Sequence, residues 1–170
     1  ILTYDGLVFK HMDAVNWDLD TLQYAQEHLR ILSACYGALG ALDGIQPYRL
    51  EMQCKIPIEE QNLYAFWGDT IYQEVYQDEE IVLNLASEEY AKCVRKYAKK
   101  DYLIDVEFLN MHKGKLKTLA TLAKMARGHM VRYVMENQIE NPEDIKKFDW
   151  NGYVYEESLS NGTKYVFVAG

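Results

Sequence analysis

The run Ile81-Val82-Leu83-Asn84-Leu85-Ala86, followed at once by Ser87-Glu88-Glu89-Tyr90-Ala91-Lys92-Cys93-Val94-Arg95, sets the tightest limit on the fold. A continuous apolar run of this length needs cover on both faces, as strands at a sheet centre have. The residues after it read as a helix. Ser87 stands at the N-cap, and Glu88 and Glu89 occupy the first turn, where the helix dipole favours negative charge. A strand feeding straight into a helix belongs to a sheet flanked by helices.

The rest of the chain supplies elements of both kinds. Asp18 opens a helix to about His28, with Leu22, Ala25 and Leu29 on one face. The segment around Ile31-Leu32-Ser33-Ala34-Cys35-Tyr36 turns apolar and predicts a buried strand, ended by Gly37 and a loop with Gly40 and Gly44. Residues 60–75 predict a helix rich in aromatics (Tyr64, Phe66, Trp67, Tyr72). Residues 102–110 and 115–119 flank a turn at Lys113-Gly114 and predict a hairpin. Residues 121–137 form the longest predicted helix, with Gly128 inside it. Asn141 caps a short helix that has Pro142 at its first position. The tail alternates and carries Asn161-Gly162, a strong hairpin signal. Pro47, Pro57 and Pro142 each mark a break, as a residue without an N–H and with a fixed φ must. The expectation is an α+β fold, an irregular mixed α/β arrangement with a central mixed sheet flanked by helices, over a single domain 1–170.

Charge and cysteine content narrow the function. The chain carries 18 Lys and Arg against 26 Asp and Glu, a net charge of −8, which argues against a uniformly basic nucleic-acid binder. Residues 92–132 nevertheless hold eleven Lys or Arg and three acids, Asp101, Asp105 and Glu107. That segment forms a positive patch on an acidic body, or its charges scatter over several faces. No run approaches the ~20 apolar residues of a membrane span, so no membrane partner is expected. Cys35, Cys54 and Cys93 are scattered, which fits reduced thiols rather than a disulfide framework. All three are expected unpaired; Cys93, between Lys92 and Arg95, is the one to watch, because thiol reactivity needs a thiolate near positive charge.

No enzyme or cofactor fingerprint is present. There is no glycine-rich phosphate loop, no nucleophile elbow, and no metal-ligand spacing among His11, His28, His112 and His129. Ser87 reads as a cap before it reads as a nucleophile. Asn84 needs hydrogen-bond partners if buried; it either organises a loop or touches a ligand. Arg49 and Glu51, in Ile45-Gln46-Pro47-Tyr48-Arg49-Leu50-Glu51-Met52, share one face if this is a strand. They form a structural ion pair at a sheet edge or one wall of a site. Trp67 packs in the core or offers a stacking platform. Lys124 and Arg127, three apart on the long helix, share a face, and Gly128 beside them lets something approach closely. Arg132 lies off that face.

Four linked stretches then acquire a joint meaning: residues 45–52, Phe66-Trp67-Gly68-Asp69, residues 84–90 and Ala126-Arg127-Gly128-His129-Met130-Val131-Arg132-Tyr133. In this order and spacing they resemble the YaaA family, the peroxide stress resistance proteins, across essentially the whole chain. The resemblance implies a cytoplasmic bacterial protein that limits free intracellular iron, with a mixed α/β fold and a positively charged cleft that binds DNA. It brings no established reaction. With all three thiols expected unpaired, peroxide protection does not run through an internal disulfide. Where the family usually reads LRPLD, this chain has Leu39-Gly40-Ala41-Leu42-Asp43, and where an arginine usually follows an asparagine it has Asn137-Gln138. The family's opening segment with its SPAK motif is absent, so residue 1 aligns well inside the family. On this reading Arg49, Glu51, Trp67, Asn84 and Ser87 line an anion-binding cleft, and Lys92, Lys124, Arg127 and Arg132 contact nucleic acid. The partner is DNA or, in an uncharacterised enzyme, a nucleotide or other anionic small molecule.

Overall fold

The computed structural model describes residues 1–55, 61–77, 81–99 and 102–170. Pro57 and Glu60, expected at a chain break and a helix start, lie outside the described residues. The strand–helix junction forms as its sequence requires: β3 spans Val82–Asn84 and α5 spans Glu88–Arg95. β3 lies parallel to β4 (Leu103–His112), and β4 lies parallel to β7 (Lys164–Ala169). The short β6 (Val154–Tyr155) closes one side antiparallel to β7, while β5 (Lys115–Lys117) pairs antiparallel with the far end of β4. The result is a mixed sheet with helices packed on it, an α+β fold. A separate antiparallel pair, β1 (Ile31–Ser33) and β2 (Gly37–Leu39), stands apart from it.

The side chains of β4 alternate, so one face is buried along its length and the opposite face only at its start, at Leu103. Ile104, Val106 and Phe108 point into the larger core, where Phe108 packs on Tyr153 at 5.3 Å and on Phe167 at 5.5 Å. Each such ring, fully buried, contributes about 1.5–3 kcal/mol. Leu103 points the other way, to Met52, Leu63, Ile71 and Cys93. Two helices on that side, α3 (Leu63–Trp67) and α4 (Thr70–Val75), replace the single helix expected over 60–75. Gly68 at φ 52° ends α3, a conformation incompatible with a continuing helix.

The N-terminal helices α1 (Leu7–Met12) and α2 (Leu19–His28) precede β1. The side chain of Asp18 caps α2 by accepting the Thr21 N–H at 2.8 Å. The longest helix, α6 (Ala120–Glu136), packs against α1, α2 and β4. What approaches Gly128 is α1 itself: a Cβ there would stand 2.3 Å from the Val8 carbonyl oxygen. The tail turn forms, with the Asn161 side chain accepting the Thr163 N–H at 2.9 Å. The twisted two-residue turn expected of an Asn-Gly pair occurs instead at Lys113 (φ 50°) and Gly114 (φ 73°). Among the described residues no helix is long and apolar enough to cross a membrane.

Candidate functional site

Arg49 and Glu51 line a groove of about 380 Å³, together with Thr3, Tyr4, Asp5 and Tyr48. The strand expected around them does not form. Pro47 has no N–H to donate, and no neighbouring segment supplies a ladder. Both side chains are exposed, and among the described residues they make no ion pair or hydrogen bond with each other. Glu51 acts on Tyr90 instead: burial, Glu89, Tyr48 and Glu51 together push the Tyr90 phenol up to about 12. Asp5, the other acid of the groove, is held by Lys10 at 3.0 Å.

The floor is a hydroxyl cluster. Ser33 is fully buried at the end of β1; its Oγ accepts the N–H groups of Cys35 (3.1 Å) and Tyr36 (3.0 Å) and lies 2.6 Å from the Tyr48 hydroxyl. Tyr4, stacked on Phe9 at 4.4 Å, brings a second phenol. Its hydroxyl is buried and makes no hydrogen bond of acceptable geometry, although Tyr48 and Ser33 lie close enough to alter its acidity. Burial, reinforced by Tyr48, raises that phenol well above its ordinary range.

Trp67 works behind the cluster rather than in the groove. Its Nε1–H donates to the Ala34 carbonyl at 3.0 Å, and its ring covers Gly37, so it fixes the turn that carries Ser33. Asn84 is taken up at the β3–α5 junction. Its amide donates to Asp105 at 2.6 Å and its oxygen accepts the Ala86 N–H at 3.1 Å. Arg95 bridges Asp105 at 2.7 Å and Glu88 at 2.6 Å, tying α5 to β4. Ser87 holds the N-cap position but makes no capping side-chain bond. The start of α5 is tied to the segment that follows Glu51 through Glu89, which accepts the Gln53 N–H at 3.1 Å.

Lys92, Lys124, Arg127 and Arg132, expected to contact nucleic acid, do not line this groove. Lys92 sits over the Tyr64 ring at 4.5 Å. Arg132 is held by Asp13 at 3.1 Å and Glu136 at 2.8 Å. Lys124 is exposed. Arg127 is half-buried with an unpartnered Nε, and burial lowers its affinity for its proton. Sequence reasoning missed Lys113, Lys115 and Lys117, all exposed on the β4–β5 hairpin; their alternation around the predicted turn was the available signal. It also missed Tyr4, Ser33 and Tyr48 as site residues; the available signals were the high count of 14 tyrosines and the place of Tyr48 beside Arg49.

The three thiols are free, as their scatter predicts. Cys93, the thiol to watch between Lys92 and Arg95, is buried, and that burial pushes it up to about 11, away from the thiolate that peroxide needs. His11 Nδ1 and His129 Nε2 lie 3.0 Å apart, and the His129 ring stacks on Trp150 at 4.3 Å. Among the described residues no group of three His, Cys, Asp or Glu is placed to hold a metal ion. A second, more open depression of about 460 Å³ at the end of α6 holds none of the candidate residues.

Comparison with known proteins gives this geometry its context. Residues 1–159 match the family described as "Peroxide stress protein YaaA". A "UPF0246 protein" of Agathobacter rectalis is 49% identical over 169 residues, covering 98% of this chain and 68% of that protein. Another from Ligilactobacillus salivarius is 48% identical over 170 residues, covering 99% and 69%. A third, from Lactiplantibacillus plantarum, is 45% identical over 170 residues, covering 99% and 68%. The chain therefore belongs to the YaaA family of peroxide stress proteins.

Proposed function

We propose that the protein acts in the cytoplasm during peroxide stress, limiting free intracellular iron, and that it does so as a DNA-binding protein. The observation that carries the DNA reading is a stretch without acids. Residues 108–135 contain six Lys or Arg and no Asp or Glu, in a chain of net charge −8. Lys113, Lys115 and Lys117 project from the β4–β5 hairpin, and Lys124 follows on α6. Among the described residues none of the four has a carboxylate partner. Lysines on an edge strand also discourage sheet-to-sheet aggregation, but that role needs no continuation onto the helix. Phosphate contacts need it, and a two-stranded ribbon has dimensions that suit a DNA groove.

The test is anisotropy of a short labelled duplex at several salt concentrations. Each phosphate neutralised contributes about 0.9 to the slope of log K against log salt. Replacing Lys113, Lys115 and Lys117 together with Gln should flatten that slope by about 2–3 units, and Arg127→Ala by about one. Both effects should be similar for unrelated sequences, as befits backbone contacts. Binding that is absent at low salt, or indifferent to all four residues, would overturn the reading. The iron component is tested separately by electron paramagnetic resonance of free iron in peroxide-treated cells with and without the protein.

A further inference from the structure

Proton accounting in the Ser33–Tyr48–Tyr4 cluster leaves one donor over. Ser33 Oγ already accepts two backbone N–H groups, which occupies both of its lone pairs. Its own hydrogen must therefore go to the Tyr48 oxygen at 2.6 Å, so the Tyr48 hydrogen points elsewhere. If it turns to Tyr4, the Tyr4 hydrogen is left over at a hydroxyl sealed from solvent; if it does not, the Tyr48 hydrogen is the donor open to the groove. In either arrangement at least one phenolic O–H needs an acceptor that Ser33, Tyr48 and Tyr4 do not provide. Both rings line the groove, and Arg49 stands there with no carboxylate partner among the described residues.

We infer that this groove is a binding site for a small phosphomonoester that also carries hydroxyl or amino donors, of the size of a mononucleotide or sugar phosphate. A tetrahedral oxyanion accepts from several directions at once, so it can take the guanidinium fork of Arg49 and a phenol rising from the floor. Glu51, exposed on the same wall, accepts hydrogen bonds from the ligand's own donors, which a bare inorganic anion lacks. Asp5 is exposed and pairs with Lys10 at 3.0 Å, so solvent and the lysine screen its repulsion of the phosphate. The groove volume of about 380 Å³ lies at the small end of ligand pockets. This site is separate from the lysine hairpin and stands whether or not DNA binds.

Isothermal titration and ligand-observed NMR with AMP, ribose 5-phosphate, inorganic phosphate and adenosine test it. AMP or ribose 5-phosphate should bind more tightly than phosphate alone, and adenosine should bind most weakly. Arg49→Gln should weaken binding of the phosphomonoester about tenfold, the loss expected of one charge-assisted hydrogen bond. Tyr4→Phe provides the control for folding. It removes a hydroxyl sealed behind the groove wall, beyond the reach of a ligand, so thermal stability and phosphomonoester affinity should both hold. Glu51→Gln should erase the preference for the phosphomonoester over inorganic phosphate. Absence of binding by either phosphomonoester at millimolar concentration would overturn the proposal, as would wild-type affinity in the Arg49→Gln protein.

Discussion

Arg127 and Arg132 stand five residues apart on α6 and meet opposite surroundings. The C-terminal half of the helix is locked onto α1. Gly128 admits the Val8 carbonyl, His129 meets His11 at 3.0 Å, and Arg132 reaches Asp13 at 3.1 Å. Asp13 is itself held in a left-handed conformation (φ 56°) at the end of α1 and also accepts the Asn16 amide at 2.9 Å. The preceding half, with the β4–β5 hairpin, carries Lys113, Lys115, Lys117, Lys124 and Arg127 with no carboxylate partner among the described residues. Folding uses positive charge where it meets an acid across an interface. Charge without such a partner is left available to a ligand or to solvent.

The sharpest way to break the locked half is Gly128→Ala. The added carbon would sit 2.3 Å from the Val8 oxygen and 2.7 Å from His11 Cβ, and α1 would have to move bodily. Overpacking against backbone costs about 3 kcal/mol, and the better helix propensity of alanine recovers only about 1 kcal/mol. Urea denaturation should show a net loss of about 2 kcal/mol; an unchanged midpoint would mean that α1 does not pack there. A smaller contrast comes from the two arginines. Arg132→Leu should lose about 0.5–1 kcal/mol, because its partners are a third exposed and the pair is screened. Arg127→Leu should leave stability unchanged or raise it, since a half-buried guanidinium without a carboxylate partner is removed. Equal losses for both would erase the comparison.

Local signals in the sequence located α5, β4 and α6 to within a few residues, because apolar periodicity and the capping residues agree there. They failed where a single backbone angle or a distant neighbour decides. Gly68 splits one expected helix into two, and the 45–52 segment, lacking a strand beside it, keeps its alternation without pairing. Of the groove, Arg49 and Glu51 were legible as a charged pair with a purpose, but their mutual hydrogen bond was not the purpose. Tyr4, Ser33 and Tyr48 come from three separate segments and meet only through the fold, so no spacing rule connects them. Gly128 advertised a close approach, and nothing near it in sequence named α1 as the visitor.

The smallest expected effect concerns the histidine pair within the locked half. Burial lowers the proton affinity of His129, His11 and Arg132 lower it further, and Asp13 opposes them weakly. A histidine depressed in the folded state resists a proton that the unfolded chain accepts. Its contribution is thus intact above the ordinary value of about 6.5 and declines as pH falls from there to the depressed folded value. The urea midpoint should therefore drop modestly between neutral and mildly acidic pH, before the carboxylates titrate. His129→Gln keeps a polar group beside His11 but removes the titration, so its midpoint should be flatter over that interval. A charged imidazole would face Trp150 at 4.3 Å, so the tryptophan fluorescence of the native protein should change at the acidic end of that interval, where folded His129 takes up its proton, and not in the variant. If both proteins show the same pH dependence, the α1–α6 contact is insensitive to the pair, and the locked half rests on Gly128 and Arg132 alone.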